Sequence, residues 1–250
     1  MKTIGRRVQL TRLPNWISKR IEVNRYETLR LLEQAQEQIP KDARVLDAGS
    51  GEGRYSRYFE HTHLTAVDLA VGDENWDYSG LDVIGDLNDL PFVDECFEAV
   101  VCIQTLEHVN NPWRITKEIG RVLKPGGRYY LSAPMCWHQH QKPHDYYRYT
   151  SFGFTYLLEQ GNMKVIEMRP MGGYFWFLSF NIQMLPYWTL PKPSNNWKRL
   201  LLLPIKIFLH FFCFLVFPLI LYYMDRFDKV KDHTMGWVCV AEKMAVDEYV

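Results

Sequence analysis

Apolar positions along the chain follow two spacings, which predict helices and strands in turn. Between residues 24 and 39 they recur at helical spacing, with one face formed by Leu29, Leu32, Ala35 and Ile39. Short runs that predict strands lie at 43–48, 64–68, 83–86, 99–103, 128–133, 164–168 and 237–242. The run at 99–103 is almost entirely apolar, which is typical of a strand buried on both faces. Helices are predicted between several of these runs, at 56–59, 113–123 and 151–161. This alternation predicts an α/β fold with a doubly wound parallel sheet.

The turn after the first predicted strand carries three glycines, within Val45-Leu-Asp-Ala-Gly-Ser-Gly-Glu-Gly53. Glycines at 49, 51 and 53 allow a sharp turn and leave backbone N–H groups accessible to a ligand. The second strand ends about 20 residues later in Asp68, where a carboxylate suits the two hydroxyls of a ribose. The two strand ends together indicate a nucleoside site in a βαβ unit.

The acid at position 47 distinguishes among nucleoside ligands. A dinucleotide fingerprint requires glycine at position 54, where this chain has Arg54, and the Asp47 carboxylate would repel a pyrophosphate. A cationic ligand is therefore favoured over NAD. The pattern D-x-G-x-G-x-G, with an acid ending the next strand, resembles the class I S-adenosylmethionine (SAM)-dependent methyltransferases, whose ligand carries an ammonium and a sulfonium.

This resemblance covers residues 43–135, in the order and spacing of the family. It rests further on Gly85-Asp-Leu87 with Leu90-Pro-Phe92, on Phe97–His108 and on the Leu123-Lys-Pro-Gly-Gly127 turn. It implies a Rossmann-like methyltransferase sheet whose last two strands are antiparallel neighbours, and SAM as the cofactor. The implied cofactor-binding residues are Asp47, Gly49, Ser50 and Gly51 at the methionine end, Asp68 and Leu69 near the ribose, Asp86 and Leu87 at the adenine, and Gln104 beneath the methionine moiety.

A loop rich in histidine, tyrosine and charge follows the fifth strand at 136–150, where it would overhang the methyl group of the cofactor. We expect it to bind the acceptor. Part of it, Pro143-His-Asp-Tyr-Tyr-Arg-Tyr-Thr-Ser-Phe-Gly-Phe154, resembles a type 11-like subgroup of bacterial methyltransferases that modify glycans or other small polar acceptors. The candidate catalytic residues are His144 and His108 as a base or orienting group, with Tyr147 and Arg148 beside them.

Two of these expectations have alternatives. Arg148 could clamp an anionic acceptor group, or it could brace the loop by pairing with Asp145. His138, His140 and His144 invite a metal hypothesis, but metal ligands usually include carboxylates fixed on structured elements. We therefore expect no metal.

Composition narrows the range of partners. The chain has 250 residues, a net charge of zero and no basic stripe, which disfavours a nucleic-acid partner. Its five cysteines form no C-x-x-C pair, as expected in a reducing compartment. The basic start at 1–7 has no apolar run behind it, so we expect no signal peptide and a cytoplasmic location.

About 65 residues separate the last two predicted strands, where the family has a short link. They include an aromatic-rich segment at 174–190 and a strongly apolar one at 200–224. Because both flanking strands join one sheet, both ends of this insertion lie on the same side of any membrane, which excludes a single span. We expect peripheral contact with the inner face of the membrane through 174–224. A soluble lid or dimer interface and a two-helix hairpin span are the alternatives.

The sequence thus predicts three regions: a SAM-binding core at 1–169, a hydrophobic insertion at 170–232, and a final strand and tail at 233–250. We expect methyl transfer to a small or lipid-linked polar acceptor, with O-methylation favoured. The alternatives are C-methylation of a lipid or quinone-like acceptor, and a catalytically silent relative that serves as a membrane scaffold. The oligomeric state is left open.

Overall fold

A computed structural model describes residues 14–72, 75–191 and 195–245. The basic start at 1–7 and the end of the tail at 246–250 lie outside the described residues. Contacts divide the chain into two units. The first contains Glu27–Arg169 and the described residues from Gly236 onward; the second contains Pro170–Met235 and the described residues from 14 to 26. The domain boundaries drawn from the sequence stay a prediction.

The first unit is built on a seven-stranded sheet in the order β3-β2-β1-β4-β5-β7-β6. Parallel pairing joins β1 to β2 and β4, β2 to β3, and β4 to β5, whereas β7 is antiparallel to β5. The predicted doubly wound sheet is confirmed. Its strands are β1 (Arg44–Ala48), β2 (His63–Asp68), β3 (Val83–Ile84), β4 (Phe97–Ile103), β5 (Leu123–Pro134), β6 (Met163–Pro170) and β7 (Gly236–Lys243).

Several predicted bounds are wrong at their ends. The third strand stops at Ile84 rather than at Asp86, and the fifth begins at Leu123, so the Lys-Pro-Gly-Gly turn lies within its bounds. The pairing of β4 with β5 shifts register between Phe97 and Ala99. Such an irregularity accommodates extra residues in one strand, which periodicity alone does not reveal.

Helices cover the sheet. Helix α2 (Val23–Gln38) buries Leu31, Leu32 and Ala35, which recur at helical spacing. Helices α3 (Pro112–Val122) and α4 (Ser151–Glu159) contribute Ile115, Ile119 and Phe154 to the cluster around β1, β4 and β5. Strand β4 is buried along nearly its whole length, as its apolar run predicts.

The connection after β1 is shorter than a regular βαβ crossover. The predicted helix at 56–59 is a single 3₁₀ turn, Ser56–Phe59, and it buries only Phe59. The carboxyl ends of the parallel strands meet at one edge of the sheet, where open α/β sheets bind ligands.

The second unit is helical in its described part. It contains α1 (Asn15–Ile21), α5 (Tyr174–Thr189), α6 (Asn196–Leu201), α7 (Leu203–Phe211), a π-helical turn (Phe212–Val216), α8 (Phe217–Met224) and a 3₁₀ turn (Asp225–Phe227). The N–H groups of Gly173 and Trp176 donate to buried Asp225, and that of Tyr174 donates to Asp228. These carboxylates satisfy the free donors at the start of α5 and suit the positive end of its dipole.

Candidate cofactor and acceptor site

The glycine turn is held by the exit of the neighbouring strand. The N–H groups of Gly49 and Ser50 donate to the carbonyl of Val67, at 2.8 and 3.1 Å. The Asp68 carboxylate accepts from the N–H of Gly51 at 3.0 Å and from that of Ala70 at 2.8 Å. Gly49, Gly51 and Gly53 all have positive φ, as the spacing of glycines predicts.

Asp47 is a buried carboxylate at the end of β1 with 4% of its surface exposed. Burial, and to a lesser extent the charge of Asp68, raises the pKa of Asp47 to about 7, and no hydrogen bond from a described residue offsets these effects. The Ser50 hydroxyl in the same turn is also buried, without a hydrogen-bond partner in the part of the chain described. A ligand that supplies a positive charge and a donor would compensate both groups.

Two residues that sequence reasoning missed line this turn. A Cβ placed on Gly49 would lie 2.2 Å from Thr105 Cγ2, and the Thr105 hydroxyl donates to the carbonyl of Gly49. A Cβ on Gly51 would lie 3.2 Å from the indole of Trp76. Trp76 belongs to the loop between β2 and β3, and no local pattern in that loop indicates that it turns back onto the glycines.

The remaining cofactor candidates lie at the ends of β2, β3 and β4. Leu87 is buried, whereas Leu69 is about half exposed. Asp86 accepts from both the backbone and the side chain of Asn88, at 2.8 Å each. Gln104 has a left-handed backbone, with φ of 53°, and its side-chain amide donates to the Ser132 hydroxyl at 3.2 Å. A strained residue just past a strand end is common at functional sites.

On the acceptor side, Arg148 braces the loop at 136–150. Its guanidinium donates to both oxygens of Asp145, at 2.6 and 2.9 Å, and to the carbonyls of Trp137 and His138. The hydrogen bonds that Arg148 donates to Asp145 raise the pKa of Arg148. This arrangement favours the bracing alternative for Arg148, since its side chain is already engaged in the structure.

His108, His144 and Tyr147 also lie in or against this loop. Nδ1 of His108 is 2.5 Å from the carbonyl of His144, and burial lowers the pKa of His108 to about 4, so the ring is neutral at pH 7. Nδ1 of His144 is 3.2 Å from the Tyr146 hydroxyl, and the Tyr147 hydroxyl donates to the carbonyl of Asn110.

Glu107, which sequence reasoning missed, is fully buried beside His108. Neither of its carboxylate oxygens has a partner among the described residues, and burial raises its pKa to about 8. In the sequence, only the position of Glu107 next to a candidate histidine could have pointed to it. A buried, unpartnered carboxyl is costly, and such groups cluster at functional sites.

The strand order defines a Rossmann-like fold of the methyltransferase type. The candidate residues for binding a nucleoside lie at the carboxyl ends of its parallel strands. Comparison with known families identifies the domain: residues 46–131 match the profile of a family described as a methyltransferase domain. This stretch is a class I SAM-dependent methyltransferase domain, and SAM is the cofactor of such domains. Asp47, the glycine turn and Asp68 fit that cofactor, because a cationic ligand would pair with an otherwise uncompensated carboxylate.

Curated relatives match only part of the chain. A ubiquinone biosynthesis O-methyltransferase of Xylella fastidiosa is 37% identical over 102 residues, which cover 36% of this chain and 42% of that protein. The chain thus spans less than half the length of the curated relatives it matches.

Solved structures support the fold. The Burkholderia thailandensis 1,6-didemethyltoxoflavin-N1-methyltransferase, with bound S-adenosylhomocysteine, superposes with a TM-score of 0.51 at 16% identity, covering 90% of this chain and 80% of that one. The [4+2]-cyclase SpnF superposes with a TM-score of 0.53 at 17% identity, covering 86% and 81%. Because a cyclase shares the fold, the reaction must be argued from the site.

The raised pKa of Asp47 predicts a pH-dependent affinity for S-adenosylhomocysteine. Below about pH 7 the carboxyl is largely protonated and must lose its proton to pair with the ammonium of the ligand. We expect the affinity to rise by up to about tenfold per pH unit below pH 7 and to level off above it. Isothermal titration calorimetry between about pH 5.5 and about pH 8.5 measures this. Asp47→Asn should bind more weakly and with a flat profile; a wild-type profile that is equally flat contradicts the assignment.

Proposed function

We propose that this protein is an enzyme that transfers a methyl group from SAM to an oxygen atom of a small or lipid-linked polar acceptor. The observation that carries the proposal is the buried Asp47 carboxylate beside the glycine turn, which accepts no hydrogen bond from the described residues. A cofactor with an ammonium and a sulfonium would supply the missing charge. Such a carboxylate has no evident purpose in a protein that only keeps the fold.

The residues of this chain would have distinct tasks. Asp68, Leu69 and the glycine turn would hold the ribose and the methionine end, and Asp86 and Leu87 would enclose the adenine. When bound, SAM supplies a methyl group that is already activated for in-line displacement. The protein must therefore place the acceptor oxygen in line and exclude water.

Removal of a proton from an acceptor hydroxyl needs a base. His144 is the better placed of the two histidine candidates, since a pKa of about 4 makes His108 a weak base. Tyr147 would contact the acceptor. Arg148 would act through the loop that it braces, because its donors are already paired with Asp145 and three carbonyls.

Oxygen is favoured as the accepting atom by the similarity to an enzyme named for O-methylation in ubiquinone biosynthesis. C-methylation of a lipid or quinone-like acceptor is the alternative within enzymes. The test is transfer of isotope-labelled methyl from SAM to hydroxylated aromatic and glycan acceptors, in free and lipid-linked forms. Mass spectrometry of the product locates the label. Label on carbon favours the alternative, and binding of S-adenosylhomocysteine without transfer to any acceptor favours a silent scaffold.

We also propose that the second unit lies against a lipid surface, at the inner face of the membrane in the cytoplasm. The helical stretch Leu203–Phe227 is long and apolar enough to cross a membrane by length and composition, yet only 17% of its most apolar window is buried. Large exposed apolar side chains on it include Ile207, Phe208 and Phe211. Lys198 and Arg199 precede it, Arg226 lies in its last turn and Lys229 follows it, and these basic residues suit anionic headgroups.

Topology argues against a single span and supports contact with the membrane surface, with a two-helix hairpin span as the alternative. Strands β6 and β7 are neighbours in one sheet, so the insertion between them returns to the side from which it starts. Exposed aromatic residues that precede the apolar stretch, Trp188 and Trp197, suit the interfacial layer of a membrane. Lipid is favoured over a second copy of the chain because basic residues flank the apolar stretch on both sides.

Vesicle flotation tests this contact. We expect the full chain to float with vesicles of phosphatidylethanolamine and phosphatidylglycerol. The double variant Phe208→Ser/Phe211→Ser should bind at least about tenfold more weakly, since each exposed phenylalanine loses its transfer free energy. Phe152→Ser, which changes an 86%-exposed phenylalanine of the first unit, is the matched control. A monodisperse dimer without detergent that ignores vesicles would contradict lipid contact and favour a second copy.

A further inference from the structure

Three side chains at the acceptor side converge on a common point. Glu107, His108 and His140 each offer a ligand atom, and these atoms lie within 4.8 Å of one another. Glu107 Oε1 is 3.7 Å from Nε2 of His108, and the rings of His108 and His140 are 4.5 Å apart, edge to face. Two ligands of one zinc ion, each about 2.0–2.2 Å from it, lie up to about 4 Å apart. The cluster therefore needs only a small closure to surround an ion.

Hydrogen bonds hold both imidazoles in the orientation that metal binding needs. Nδ1 of His108 is 2.5 Å from the carbonyl of His144, and Nδ1 of His140 is 3.2 Å from the carbonyl of His138. A ring that donates from Nδ1 to a carbonyl keeps the Nε2 lone pair free, as histidine ligands of metals usually do. Nε2 of His108 is indeed buried without a partner among the described residues.

The carboxylate is the decisive member of the cluster. Glu107 has no exposed surface, and both of its oxygens lack a partner in the described chain, although His108 lies beside it. It sits on the 3₁₀ turn Leu106–His108 directly after β4, so it is fixed on a structured element. From the sequence we expect no metal, because the loop histidines have no such carboxylate beside them. The fold supplies one, Glu107, from outside the loop.

We propose that Glu107, His108 and His140 bind one divalent transition-metal ion, with zinc as the reference ion. Two imidazoles and one carboxylate suit zinc, iron and other borderline ions more than magnesium, which prefers oxygen ligands. Three protein ligands leave coordination positions for water or for an acceptor hydroxyl, whose pKa the ion would lower. That catalytic role rests on the proposed function, whereas metal binding itself does not. The metal site leaves His144 as the base.

Cobalt serves as the spectroscopic probe. The full chain is freed of metal with a chelator, which is then dialysed away, and is titrated with Co²⁺ in the absence of SAM and acceptor. We expect visible d–d absorption that saturates at one Co²⁺ per chain and is displaced by Zn²⁺. Elemental analysis of protein dialysed against Zn²⁺ gives the stoichiometry independently.

Two ligand variants and one control make the assignment specific. Because loss of an outer-shell partner alone costs about 10–100-fold in metal affinity, Glu107→Gln and His140→Asn should each cost at least that much. His140→Asn changes a half-buried side chain, which keeps the test valid if Glu107→Gln fails to fold. His63→Asn alters an exposed histidine at the start of β2, at the opposite edge of the sheet, and should bind like the wild type.

Two results overturn the proposal: no saturable Co²⁺ absorption in the wild type, or equal affinity in the wild type and His140→Asn. Calorimetry with S-adenosylhomocysteine on the same samples reports the cofactor site separately. Binding of S-adenosylhomocysteine without metal would refute the metal proposal alone. Binding of metal without S-adenosylhomocysteine would refute the proposed function alone.

Discussion

Gly49→Ala is expected to abolish measurable binding of S-adenosylhomocysteine and to lower the melting temperature strongly, whereas Gly53→Ala leaves the affinity close to the wild type and lowers the melting temperature less. Both glycines have positive φ, 80° and 66°, so alanine costs about 1–2 kcal/mol of backbone strain at either position. Only at Gly49 would the added Cβ meet neighbours, with Thr105 Cγ2 at 2.2 Å; at Gly53 no atom lies within 4 Å. We expect overpacking to cost a further 1–3 kcal/mol or so at Gly49.

The comparison of these two variants isolates the close approach of Thr105 to the turn. Thermal unfolding gives the stability difference, and calorimetry gives the affinity. Gly49→Ala/Thr105→Ala should recover part of the loss, since it removes the two nearest atoms and leaves Thr105 Cβ at 2.9 Å. If Gly49→Ala and Gly53→Ala behave alike, the packing of Thr105 against the turn does not position the cofactor.

Asp68→Ala is expected to weaken binding of S-adenosylhomocysteine by at least about 100-fold. Its carboxylate accepts from the N–H groups of Gly51 and Ala70 and so fixes the glycine turn to β2. The remaining lone pairs would accept the ribose hydroxyls. Hydrogen bonds to a charged group contribute about 1.5–3 kcal/mol each, so the loss of two accounts for this factor.

Asp82→Ala is the matched control for Asp68→Ala. Asp82 also accepts a backbone N–H of β2, that of Ala66 at 2.8 Å, but it precedes β3 rather than following β2. We expect Asp82→Ala to lower the stability while leaving the affinity within about twofold, since its one hydrogen bond contributes to folding rather than to the ligand. Unchanged affinity in a folded Asp68→Ala protein would show that the ribose is placed wrongly.

The elements that the sequence predicted best are those set by local chemistry. The glycine turn at Gly49–Gly53 follows from the spacing of residues that tolerate positive φ, and β4 follows from an uninterrupted apolar run. The alternation of strands and helices predicted a doubly wound sheet, and the family resemblance placed the last two strands side by side, as they are in the structure.

The residues that sequence reasoning missed depend on contacts between distant parts of the chain. Trp76 approaches Gly51 from a loop after β2, and Thr105 approaches Gly49 from the end of β4. Glu107 becomes a candidate because it is buried and lies close to His140, and neither property can be predicted from a linear sequence pattern. The short 3₁₀ turn at Ser56–Phe59 shows the same limit, because its length depends on how Phe59 packs.

The measurement that tests the central claim most directly is calorimetric titration of the full chain with S-adenosylhomocysteine, with NAD as the control ligand. We predict saturable binding of S-adenosylhomocysteine at about one molecule per chain and no binding of NAD, because Asp47 attracts a cation and repels a pyrophosphate. Binding of NAD alone, or of neither ligand by folded protein, would contradict the assignment of this strand edge as a SAM site. The apolar second unit would then become the first place to look for function.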